Sequence, residues 1–223
     1  PYAVIGENVQ IGDRSQIHSH VVIENNVKIG SDTQILAHAF VGSNCIIGNY
    51  CEIKPHATIG SEGFGFAQDK SRFHPRIPQR GIVVLEDHVS IGAQCTLDKA
   101  TFEETRIGQG TKLDNHVHFA HNCKIGKFGL IAAGTMLAGS TIIGDNCMTG
   151  GQTGFAGHQT IGDNLHFGGK SAIRGNMDTP GAYSGHPIQP VKDYLRTQAS
   201  LLKLNDTIKD VKKIMKHLGI EEK

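Results

Sequence analysis

The segment IGENVQIGDRSQIHSHVVIENNVKIG, residues 5–30, places isoleucine at 5, 11, 17, 23 and 29. A half-buried strand repeats every two residues and a helix every 3.6, so a spacing of six fits neither. The same grid continues through Ile35, Val41, Ile47, Ile53 and Ile59 and restarts at Leu85, Ile91 and Leu97. It then runs from Ile107 through Leu113, Phe119, Ile125, Ile131, Leu137 and Ile143 to Phe155, Ile161, Phe167 and Ile173, with Thr149 as its one polar member. Four places after nearly every large residue the side chain is small or β-branched, as in Val9, Ser15, Val21, Thr33 and Ala39, and glycine often follows the large residue directly. Such a pattern predicts a parallel β-helix of hexapeptide repeats: each hexapeptide makes one flat side, three sides make a coil, and like residues stack at about 4.8 Å.

Composition agrees. The chain has 28 glycines, no tryptophan and a net charge of +1, which suits tight corners and argues against a nucleic-acid or anionic-membrane partner. No apolar run approaches the ~20 residues that span a bilayer. The five cysteines, at 45, 51, 95, 123 and 147, all fall on the small inward position. They are expected to be buried, unpaired thiols, consistent with a reducing cytoplasm.

The expected organisation is a β-helix over 1–178 and an exit linker with C-terminal helices over 179–223. Two segments leave the grid: the excursion SEGFGFAQDKSRFHPRIPQRG at 61–81, expected to be functional, and four extra residues between Leu97 and Ile107. In the tail, Leu201, Leu204, Ile208, Val211, Met215 and Leu218 alternate three- and four-residue steps, the seam of a helix that packs on another copy or on the β-helix. Its net charge of +3 from Pro190 onward, eight Lys/Arg against five Asp/Glu, suits either a solvated face or docking of an acidic carrier protein.

Three histidines crowd the stretch KLDNHVHFAHNCKIG, 112–126. Stacking at 18 residues puts Gly139, Gly157 and Gly175 above His121, away from the usual Ile-Gly corner position. The neighbouring column reads Asn122, Ser140, His158, Asn176. An imidazole beneath bare backbone, flanked by polar side chains, describes a groove whose N–H groups could meet a developing oxyanion.

With these residues in view, the chain resembles the UDP-3-O-(3-hydroxyacyl)glucosamine N-acyltransferase family of lipid A synthesis. The matching segments are IGSEGFGFA (59–67), LDNHVHFAHN (113–122), IAAGTMLAGSTIIG (131–144), GGQTGFAGHQTIG (150–162) and PGAYSGHPIQP (180–190). The resemblance implies a left-handed coil with a short C-terminal α-helical extension, assembled as a homotrimer with sites in the grooves between neighbouring β-helices. It implies an R-3-hydroxyacyl donor on the phosphopantetheine of acyl carrier protein, with no other cofactor and no metal. The acceptor is the 2-amino group of a UDP-3-O-acyl-glucosamine. His121 falls on the general base, the Gly139 N–H on the oxyanion donor and His158 on a second active-site histidine. Asp114, Asn115, Asn122 and Gly157 fall on substrate-binding positions.

The chain departs from the family in reading CTLDKA for TTIDRG and IAAG for IAAQ. Family members also carry an N-terminal uridine-binding domain; the 223 residues begin at Pro1 already on the grid, so a further N-terminal portion is expected. Three rival readings stand beside this one. The sister O-acyltransferase acting on UDP-N-acetylglucosamine shares an AH-containing segment. Gamma-class carbonic anhydrases share the fold class and bind zinc through two histidines five apart, the spacing of His116 and His121, but the third ligand would then fall near Arg76. A non-catalytic scaffold leaves the glycine column above His121 unexplained.

Overall fold

The structure, a computed structural model, describes residues 1–185 and 191–219. Among them are 26 short strands and one helix. Successive strands join three parallel sheets in rotation, of nine, eight and nine strands, so that each strand pairs with the third one along the chain. Pairing is in register at 18 residues, as in Ile5 with Ile23 and Ile11 with Ile29. The six-residue grid is thus the inward column of a parallel β-helix. Ile23, Ile35, Ile53, Leu97 and Phe119 are at most 1% exposed, and each such side chain removed from water stabilises the rod by roughly 1.5–3 kcal/mol.

Corners repeat a two-residue turn whose second member is left-handed, with φ near +60° at Asn8, Asn26, His38, Asn122 and His158 among others. Thr149, the polar member of the inward column, is tolerated because its hydroxyl accepts from Ala132 N–H at 3.1 Å and bonds to Thr135 Oγ1 at 3.1 Å. All five cysteines are buried and free. Burial pushes the thiols of Cys45, Cys51, Cys95 and Cys123 up to about 11.

The two irregular segments leave the stacking intact. Ile59 pairs with Leu97 and Leu97 with Phe119, so the excursion and the four-residue insertion loop out sideways. The excursion folds back on itself: Ala67 N–H donates to Pro75 O at 3.0 Å, Ile77 N–H to Gly65 O at 2.9 Å, and Asp69 Oδ1 accepts from Ser71 and Phe73 N–H at its tip.

The β-helix runs further than 178. Gly181–Tyr183 forms a last strand on Leu165–Phe167, and the Tyr183 ring stacks on Phe167 at 6.2 Å, an aromatic contact outside the six-residue grid. The compact unit therefore spans Pro1–Gly185. The tail has one continuous helix, Val191–Leu218, rather than several. Its seam residues Leu201, Leu204, Ile208, Val211 and Leu218 are exposed in the single chain, and the i,i+3 pairs Asp206–Lys209 and Asp210–Lys213 lie along it. The rest of the exit linker, 186–190, and residues 220–223 lie outside the described residues. Among described residues, no helix is long and apolar enough to cross a membrane.

Candidate active site

His121 follows the strand His118–Phe119 at the corner that leaves the first sheet. At several other corners, the residue two past the inward aliphatic donates its N–H to a side-chain oxygen stacked one coil on. Glu7 donates to Asn25, Ser31 to Asn49 and Lys127 to Asp145, at 2.6–2.8 Å. Above His121 the stacked residues are glycines, which offer no oxygen. The N–H groups of His121 and Gly139 accordingly have no partner among the described residues.

Gly139 is required by contact rather than by backbone angle. A Cβ there would lie 2.7 Å from both Cε1 and Nε2 of the His121 ring, well inside van der Waals distance. A Cβ on Gly157 would lie 3.1 Å from the Gly139 carbonyl oxygen, so the expected stack is present. Backbone bonds tie it together: Ser140 N–H donates to His121 O at 2.9 Å and His158 N–H to Gly139 O at 3.0 Å. His121 and Gly139 are half-buried and open to solvent on one side, and His158 is exposed one coil further on.

Asn122 fixes the state of the ring. Its Nδ2 donates to Phe102 O at 2.9 Å and its Oδ1 accepts from Thr101 N–H at 3.0 Å, which sets the amide orientation. Oδ1 also lies 3.1 Å from His121 Nδ1. An amide oxygen only accepts, so Nδ1 carries the hydrogen and Nε2, the nitrogen over Gly139, carries the free lone pair. A basic nitrogen and an uncommitted N–H therefore belong to two residues stacked in direct contact.

A shallow cavity of about 470 Å³ lies on the outer face of the first sheet, lined by His118, Ala120, Met136, Ala138, Ala156 and Ala172 among others, with Ala120 and Ala138 next in sequence to His121 and Gly139. Small side chains in successive coils leave a track leading away from the imidazole.

Residues that the chain's periodicity did not single out also meet here. Gly63 of the excursion lies against His121, since a Cβ on it would be 3.0 Å from the histidine Cβ. Gln79, 4% exposed, accepts from Thr101 Oγ1 at 2.9 Å. Both come from irregular loops, where a six-residue period says nothing. The retained aspartate of CTLDKA was the one available hint to the buried Asp98.

Two expected site residues stand apart. Asp114 and Asn115 occupy the corner leaving the third sheet, and the first-sheet strand separates them from His121. Asn115 Oδ1 accepts from Ala93 N–H at 2.8 Å and Asp114 Oδ1 from Asn115 N–H at 2.7 Å, both corner-capping roles. The zinc column also requires correction. Register through Leu113, Ile91 and Ile53 places Gln94 and His56 beneath His116, whereas Arg76 lies on the excursion, outside every column. Among described residues no cluster of three His, Cys, Asp or Glu side chains is arranged to hold a metal ion.

The bacterial transferase hexapeptide (six repeats) family matches residues 2–37 and 26–61. Over 146 residues the chain is 39% identical to UDP-3-O-acylglucosamine N-acyltransferase 2 of Sulfurimonas denitrificans, covering 65% of this chain and 46% of the relative. Over 141 residues it is 42% identical to UDP-3-O-acylglucosamine N-acyltransferase of Campylobacter lari, covering 63% and 44%. The chain thus spans just under half the length of the curated relatives it matches. Among solved structures, the UDP-N-acetylglucosamine acyltransferase from Campylobacter jejuni superposes with a TM-score of 0.69 at 27% identity, over 79% of this chain and 67% of that one. On its repeats, its coil and these alignments, the chain is a hexapeptide-repeat homologue of the UDP-3-O-acylglucosamine N-acyltransferases over about two thirds of its own length.

Proposed function

We propose that the chain carries the catalytic groove of an N-acyltransferase, moving an R-3-hydroxyacyl group from acyl carrier protein to the 2-amino group of a UDP-3-O-acyl-glucosamine. The observation that carries this reading is the stacking of the His121 ring against Gly139, whose N–H is uncommitted among the described residues. The neutral amine attacks the thioester carbonyl carbon and gives its proton to His121 Nε2. The carbonyl oxygen, gaining negative charge, is met by Gly139 N–H. General-base help contributes roughly 10²–10⁴ in rate. A well-placed oxyanion donor adds about 3 kcal/mol of barrier lowering. The small-residue track beside the imidazole suits an acyl chain. The chemistry needs no resident cofactor or metal beyond the phosphopantetheine arm that bears the donor.

Packing side by side in a homotrimer would carry Asp114 and Asn115 of one copy toward the groove of the next, where they and His158 would meet the acceptor. The exposed seam of the Val191–Leu218 helix is consistent with further contacts in that assembly or with the acidic carrier. Such an enzyme would work in the reducing cytoplasm, where the five buried thiols stay reduced. His121→Ala should lower acyl transfer by at least ~10² while the protein stays folded. Turnover near that of the unaltered chain would refute the assignment. Supplying UDP-N-acetylglucosamine as acceptor separates this function from that of the O-acyltransferases that share the coil.

A further inference from the structure

A carboxylate with no part in the reaction just described lies beside its imidazoles. Asp98 closes the strand Thr96–Asp98 and is 6% exposed. Ser61 Oγ donates to its Oδ1 at 2.6 Å. Its Oδ2 accepts no hydrogen bond among the described residues and lies 3.8 Å from His118 Nε2. Register of Leu97 with Phe119 puts Asp98 in the column of Ala120, the residue before His121, so the acid sits one coil below the proposed base.

We propose that Asp98 is a positioning residue for the acyl transfer: held by Ser61, its carboxylate offsets the positive charge that His121 gains on taking the amine proton. The inference rests on the function proposed above. In that step the amine nitrogen forms a bond to the carbonyl carbon, and its proton passes to Nε2. The carbon–sulfur bond breaks, and the departing sulfur keeps the electron pair and takes the proton back from the imidazolium. Atoms and charge balance without a co-reactant, and the transient cation forms one coil along, at the residue that follows the Ala120 position stacked on Asp98.

The surroundings support an acid that waits for a cation. Burial pushes the Asp98 carboxyl above its ordinary range, opposed by the Ser61 hydrogen bond and by the fields of His118 and His121. Of the other charged or titratable groups nearby, Cys123 is a buried thiol held neutral. Lys99 and Arg76 are both paired with Glu62 at the root of the excursion. The two imidazoles are left as the groups whose charge Asp98 can answer. A buried anion is costly unless a cation forms beside it, and the proposed step forms one at His121.

The test compares the full chain with Asp98→Asn, following the ring signals of His118 and His121 by NMR between about pH 5 and 9, where imidazoles titrate. Removing the carboxylate should weaken proton binding at His121 about tenfold, a shift of about one unit. In acyl transfer, kcat should fall about tenfold, with KM changed less than twofold and the acid limb of the pH profile moved to lower pH. A purely structural Asp98 would leave the ring titration and the limb in place, and that result overturns the inference. Coupling is reciprocal, so in His121→Gln the Asp98 carboxyl should titrate at higher pH than in the unaltered chain. An unchanged Asp98 midpoint there also overturns the inference, even if Asp98→Asn fails to fold. Loss of all turnover in the unaltered chain would undo the function above yet leave both titrations readable.

Discussion

The coils of residues 1–60 and those from 97 to 175 are built on one repeat yet treat their corners differently. In the early coils, corner positions carry side chains that serve the stack. Tyr2, His20, His38 and His56 form a ladder of parallel rings with centroids 4.7–5.2 Å apart, and Asn25 and Asn49 cap the N–H groups beneath them. In the later coils one corner is stripped to glycine. What the early coils spend on closing the stack, the later ones leave open to a ligand. A histidine in the first region is a rung; in the second, with Asn122 beside it and Gly139 above, it is the proposed base. Residue type alone does not separate the two.

The comparison breaks most visibly at glycine. Gly139→Ala would drive a methyl into the His121 ring, displacing it from the groove. Acyl transfer should fall by at least ~10², the loss of about 3 kcal/mol of oxyanion and base alignment, with thermal stability changed little. Gly30 belongs to the other kind. A Cβ there would meet Asn49 Oδ1 and the Gly48 carbonyl carbon at 2.6 Å, where backbone cannot yield. Gly30→Ala should therefore lower unfolding stability by about 1–3 kcal/mol in a denaturant titration and leave kcat alone. If Gly139→Ala destabilises as much as Gly30→Ala and the residual activity tracks the folded fraction, the two corners are alike and the distinction fails.

The smallest effect spans both regions. The buried thiols titrate near 11, above the 9.0 of the free group, so the folded state favours their neutral form. The stability this contributes is full below pH 9 and is lost as pH rises through 11. Melting temperature should decline over that window, and less steeply in Cys51→Ala than in the unaltered chain. Equal slopes would mean that lysine and tyrosine ionisation, not thiol burial, governs alkaline unfolding.

Much of this was readable from spacing alone. Ile5 to Ile173 gave the coil because one wrong residue per hexapeptide would have left a void or a buried charge, and the cysteines declared themselves by column. His121 was legible because three glycines at 18-residue intervals have no structural reason at that corner position. What stayed hidden depends on loops. Gly63 lies against His121 and Gln79 bonds to Thr101 only because the excursion returns to the rod at Gly81, a geometry that no period encodes. The same loop lies between His56 and His116 along the chain, so an 18-residue count that allows only for the four-residue insertion reaches Arg76 while the register puts His56 in that column. The last strand, Gly181–Tyr183, was missed because it is held by an aromatic stack and not by an aliphatic on the grid.

The sideways exit of the excursion has a wider consequence. Ile59 and Leu97 are 38 positions apart along the chain, yet they neighbour one another across a single rung. New material can therefore be spliced in at a bend while the rod keeps its pitch, and each coil depends only on the ones above and below it. An architecture of this sort can gain a loop beside a corner histidine without renegotiating its interior, much as a shelf can be hung on a ladder without moving the steps.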